Sequence, residues 1–239
     1  MNFPWIGGIA ALILLVLLFC TSNLRANAQI SRWRDRTWLS WLGMVAYLVH
    51  NLEEYGIDLY GRRDGFPKDI IDLMQLPPYP DSPIPPLYFV AVDVTAFWIA
   101  APLASLLSRE RPLVGYAIYS IIMINVVFHV IPLILGVGYG AGTITAIIIF
   151  IPLCAWMIYT SFGAGRMSYR ALALLVGAGV LFHALLTIPM ILLLQGAISE
   201  TSVVMIQVAN PFVLMVILSA AERSRLSMPA GQRRPSASR

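Results

Sequence analysis

"ITAIIIFIPLCAWMIYTSF", residues 144–162, carries no charged residue and is almost unbroken in apolar character. A helix rises about 1.5 Å per residue, so a run of ~20 such residues crosses the ~30 Å hydrocarbon layer of a bilayer. "IGGIAALILLVLLFC" at 6–20 repeats the pattern. The chain around these runs has 239 residues, 59% hydrophobic and 12% charged, against about 25% charged in a soluble domain. The short alternating segments of a β-barrel do not occur. The sequence therefore reads as all-α: a polytopic membrane protein whose single domain, 1–223, is a bundle of about seven transmembrane helices. They fall at about 4–21, 37–60, 87–108, 112–136, 141–162, 169–195 and 202–221. Pro152, Pro189 and Pro211 lie inside three of them, where neighbouring helices can satisfy the backbone groups a proline frees.

Charge sets the expected orientation. Arg25, Arg32, Arg34 and Arg36 lie between the first two helices, Arg109 and Arg111 after the third, and Arg166 and Arg170 after the fifth. Arg223, Arg225, Arg233, Arg234 and Arg239 lie on the tail, leaving Arg62, Arg63 and Lys68 alone on the opposite side. The positive-inside rule then places the N-terminus outside and the C-terminus in the cytoplasm. "ANAQ" at 26–29 resembles a signal-peptidase site. The leading "MNFPW" lacks a positive charge, and cleavage would leave Arg32, Arg34 and Arg36 outside, so the first helix is expected to be retained. The net charge of +4 suits anionic lipid head groups and gives no reason to expect a nucleic-acid partner. The expected location is the bacterial inner (plasma) membrane. Cys20 and Cys154 sit in apolar runs without a partner at motif spacing and read as small buried residues.

The one long loop, 61–86, is expected on the outer side. Its "DIIDLMQL" suits a short surface helix, and the prolines that follow suit a stiff connector. It reads as a linker or as a lid over an outward-facing cavity. "GVGYGAG" at 136–142 reads as a tight turn, and the basic tail 224–239 as disordered.

Ionisable residues inside a membrane are costly, about 2.5–3.5 kcal/mol for a central Asp, and mark functional sites. Glu53, Glu54 and Asp93 fall deep within the expected spans, and no Lys or Arg does, Asp58 and Arg170 lying at span ends. Protonation, hydrogen bonding or a metal cation must compensate them. All three histidines, His50, His129 and His183, also fall in spans. Counted from the inner helix ends, His50, Glu53, Glu54, Asp93, Asn125, His129, His183, Gln207 and Asn210 share one layer about 9 Å thick. His50, Glu53 and Glu54 stand at i, i+3 and i+4, and Asn125 and His129 at i and i+4, so each set shares a helix face. Imidazoles and carboxylates on facing helices suit a divalent transition metal, zinc or iron. The expected metal ligands are His50, Glu53, Glu54, His129 and His183, with Glu53 and Glu54 catalytic. Asn125 and Asp93 are expected behind them, orienting ligands.

"HNLEE" at 50–54 fits the His-x-x-Glu-Glu signature of the HXXEE family of multi-spanning membrane proteins, and "NVVFH" at 125–129 resembles that family's Asn-x-x-x-His motif. The resemblance covers about 40–220 and implies a polar site suspected to be enzymatic, with no established reaction. A weaker likeness is to the CAAX-prenyl-protease superfamily, which combines a Glu-Glu pair with later histidines. There, Asp58 stands where Arg is expected, Asn125 where Phe is, and Thr187 where Asn is.

The expected function is a metal-dependent membrane enzyme acting on a lipid or other apolar substrate, either a hydrolase or an oxygen-activating enzyme. A metal-free Glu/His acid–base enzyme and a proton-coupled transporter are the alternatives. A haem protein leaves the carboxylates unexplained, and a retinal protein needs a lysine in a span.

Overall fold

Asp35 starts the helix on which the rest of the bundle is assembled. Its carboxylate accepts the backbone N–H groups of Thr37 (2.9 Å) and Trp38 (3.1 Å), capping a helix that opens at Arg36. A computed structural model describes residues 1–224 of the chain. The tail expected from 224 onward lies, from residue 225, outside the described residues.

The described residues form an all-helical bundle: α1 (Phe3–Cys20), α2 (Arg36–Asn51, continued by a wider turn over Leu52–Gly56), α3 (Gly65–Leu73), α4 (Pro86–Leu107), α5 (Pro112–Ile134), α6 (Thr143–Ser161), α7 (Tyr169–Leu194) and α8 (Glu200–Arg223). Six of them, all but α2 and α3, are long and apolar enough to cross a membrane. The second of the seven expected spans, 37–60, stops earlier, at Gly56, because Ile57 turns to extended backbone. It is also the least apolar of the long helices, since it carries Ser40, His50, Asn51, Glu53 and Glu54, all buried.

The bundle shields those groups. α1, α4, α5 and α6 pack around α2, and α7 and α8 close the far side against α5 and α4. Trp38, Leu39, Val45 and Leu48 of α2 join Phe97, Tyr119, Ile122 and Phe150 in one apolar core. α7 and α8 also meet through polar contacts. Pro189 cannot donate to the carbonyl of Leu185 one turn back. Gln207 Nε2 of α8 donates to that carbonyl at 2.9 Å, and Asn210 Nδ2 donates to Phe182 O at 3.0 Å.

The two ends of the bundle differ in charge. At one end Arg109 donates to Arg25 O, Arg111 to Ser219 Oγ, and the indole of Trp156 to Trp33 O. The other end is closed by the 57–64 segment, α3 and the 136–142 turn. These are tied together by Tyr139 with Leu59 N and by Asp69 with Ala141 N and Arg62.

Candidate metal centre

Glu53 and Glu54 are adjacent in sequence but serve different partners. The backbone over Leu52–Gly56 is wound one residue wider per turn than an α-helix, with Ile57 N–H reaching Leu52 O at 2.7 Å. This turn aims Glu53 at the start of α6 and Glu54 at the histidines.

Glu53 accepts four hydrogen bonds. Oε1 takes the Tyr139 hydroxyl (2.8 Å) and Ile144 N–H (3.0 Å). Oε2 takes Thr145 N–H (2.7 Å) and the Thr145 hydroxyl (2.6 Å). Ile144 and Thr145 belong to the first turn of α6, whose N–H groups have no partner within their own helix. Glu53 therefore caps α6 from another helix, where the positive end of the helix dipole favours a carboxylate. Burial pushes the Tyr139 phenol pKa up, and the adjacent Glu53 carboxylate pushes it the same way, so the phenol stays a donor.

Thr145 passes this arrangement on to His50. Its one hydroxyl proton goes to Glu53, so its oxygen accepts from His50 Nδ1, 2.7 Å away. That places a ring proton of His50 on Nδ1, and in the neutral ring Nε2 then keeps its lone pair. His50 Nε2 is buried without a hydrogen-bond partner and lies 3.2 Å from Glu54 Oε1. His129 Nε2 reaches the same oxygen at 3.1 Å.

Among the described residues, the cluster of His, Cys, Asp or Glu side chains able to hold one ion is His50, Glu54 and His129, their ligand atoms within 4.8 Å of one another. Their residues are 0%, 2% and 6% exposed. Two ligand atoms at ~2.1 Å from one ion lie about 3.0–3.4 Å apart at right or tetrahedral angles. The two observed N···O separations fall in that interval.

The remaining expected site residues lie elsewhere. Glu53 is spent on α6. His183 donates from Nδ1 to Gly179 O at 2.9 Å and stacks on Phe128 with ring centres 5.3 Å apart, outside the three-residue group. Asn125, one turn before His129, donates to the Tyr47 hydroxyl at 3.1 Å. Tyr47 in turn sets its ring edge-on to His50, 5.4 Å away. Asp93 is buried close to Glu54, Tyr55 and Asn51, with Oδ2 unpartnered.

Three contributors went unnoticed in the sequence: Tyr139, Gly142 and Thr145. Gly142 has φ +98°, a left-handed conformation that L side chains rarely adopt. A Cβ there would lie 2.7 Å from His50 Cε1, 2.6 Å from His129 Cε1 and 3.0 Å from Glu54 Cγ. Its bare backbone forms the roof over both imidazoles. The density of glycines in "GVGYGAG" was the available signal, and it reads equally well as a simple turn.

The family described as "Protein of unknown function with HXXEE motif" matches residues 41–157. This segment belongs to the HXXEE family. It carries both motifs, "HNLEE" and "NVVFH", and all three members of the cluster, together with Gly142 and Thr145. His183 lies beyond it. No curated protein and no solved structure matches the chain, and the likeness to the CAAX-prenyl-protease superfamily is not supported.

Proposed function

We propose that this integral membrane protein is a metal-dependent enzyme. One divalent ion, zinc or iron, is bound by His50 Nε2, His129 Nε2 and Glu54, and the substrate is a lipid or another apolar molecule. The observation that carries this reading is the buried His50 Nε2, without a hydrogen-bond partner and 3.2 Å from a carboxylate oxygen, while the opposite ring nitrogen is engaged by Thr145. In the neutral ring two electron-rich atoms at that distance repel unless a proton or a metal ion lies between them, and a metal ion would also meet His129 Nε2 on the same oxygen. Two histidines and one carboxylate are the ligand set of catalytic zinc sites and of non-haem iron oxygenases, both of which keep a coordination position open.

A bound ion would supply Lewis-acid activation of water or, as iron, of dioxygen. The chain's own residues do the rest. Thr145 and Glu53 fix the tautomer and angle of His50, as outer-shell partners of ligating histidines do. The aromatic rings of Phe150 (4.5 Å from His50) and Phe66 (5.9 Å from His129) exclude water. Asp93, buried close to Glu54, is the carboxylate placed to take or return a proton.

Metal analysis of protein purified in mild detergent without chelator tests the proposal. About one equivalent of zinc or iron is expected, falling below roughly a tenth in His129→Ala, because loss of a ligand removes most of the affinity. Wild-type protein free of stoichiometric metal would overturn it in favour of a metal-free Glu/His acid–base site.

A further inference from the structure

α1 and α6 pack on opposite flanks of α2 and leave a lateral groove between them, a cavity of about 890 Å³. That is within the ~300–1,000 Å³ range of small-molecule sites. Val45, Ala46 and Val49 of α2 form its floor, small side chains on one helix face, and Ile149 and Leu153 of α6 form a wall. These surfaces are wholly apolar. The mouth, at the arginine-rich end, is lined by Trp33, Arg34 and Trp156.

The mouth is braced and charged. The Trp156 indole donates to Trp33 O at 2.8 Å, and the two rings meet edge to face at 6.3 Å. Tryptophans in this setting mark the depth of the membrane–water interface. The exposed Arg34 makes no hydrogen bond or ion pair among the described residues, whereas Arg32 at the same turn is engaged with Leu18 O and Phe19 O. Arg34 precedes the first residue of α2 by two positions and Val49 follows it by thirteen, so the groove's ends are about 20 Å apart along the helix.

From this we infer that the groove is a binding site for one anionic phospholipid of the bilayer, its phosphate on Arg34 and an acyl chain laid along Val45, Ala46 and Val49. A zwitterionic lipid also brings a phosphate, but its own ammonium repels the guanidinium, so a lipid of net negative charge is preferred. A free phosphate would leave the apolar groove unfilled. Because the phosphate end lies about 20 Å from His50 along α2, this lipid is a resident of the fold and its head group is not presented to the metal cluster. The inference stands apart from the proposed enzyme activity.

Native mass spectrometry of protein released from phosphatidylcholine nanodiscs doped with phosphatidylglycerol tests it. Wild type is expected to retain one phosphatidylglycerol, and millimolar inorganic phosphate is not expected to displace it. Arg34→Gln should lower the preference for phosphatidylglycerol over phosphatidylcholine about tenfold, with metal content unchanged. Ala46→Trp and, from the opposite wall, Ile149→Trp should each abolish retention while unfolding near the wild-type temperature. Wild-type retention in either filled variant, an unchanged preference in Arg34→Gln, or displacement by phosphate would overturn the site. If both filled variants misfold, the exposed Arg34 substitution decides alone.

Discussion

Glu54 is the residue whose two neighbours give it meaning. His50 Nε2 and His129 Nε2 both converge on its Oε1, whereas Glu53 meets four donors and has no capacity to spare. Conservative substitution should separate them. Glu54→Gln is expected to bring bound metal below roughly a tenth of wild type. Glu53→Gln is expected to lower thermal stability, since an amide cannot accept four donors and one is left unmet at ~1–3 kcal/mol. Equal metal loss with no destabilisation in Glu53→Gln would count against the division of roles. Gly142→Ala is the sharpest steric test. Its left-handed φ makes Ala costlier there by at least ~1 kcal/mol, and the new methyl would press on both rings. Metal binding should fall even though no ligand has changed.

At the scale of elements, Pro189 and Gln207 show how the bundle tolerates a broken backbone ladder. Gln207→Leu orphans Leu185 O and is expected to destabilise the α7–α8 pairing by about 0.6–1 kcal/mol, with metal content unaffected; a drop in metal would mean that α8 supports the cluster. Helix placement was largely legible in the sequence, because uninterrupted apolar runs have one stable solution in a bilayer. The layer of polar residues was legible too, and it included His50, Glu54 and His129. The division of labour within the layer was not. Helical spacing put Glu53 beside His50, and the wide turn at Leu52–Gly56 redirected it. Nothing in the pattern "HNLEEYG" marks that turn. His183 shared the depth of the others but not their partners, because depth fixes height along a helix and not rotation about it. The roof residues were hidden for a different reason: their contribution is backbone shape and hydrogen bonding from a loop, which hydropathy does not register.

For the whole molecule, the clustering of Arg25, Arg109, Arg111 and Arg223 at one end argues that this end faces the cytoplasm. Cysteines introduced at Leu59 and at Ser31, in a background lacking Cys20 and Cys154, should then label oppositely in intact cells. A membrane-impermeant maleimide is expected to reach position 59 and not 31; the reverse pattern would invert the topology. The metal cluster would sit beneath the outward end, under α3 and the 136–142 turn. The backbone of Gly142 lies across both rings, and that closure has a kinetic consequence. An ion seated below it is expected to swap slowly with isotope in the surroundings, at a rate that includes the opening of the turn as well as the breaking of the ligand bonds. Occupancy would then be decided largely while the chain assembles, by whichever cation is present at that moment.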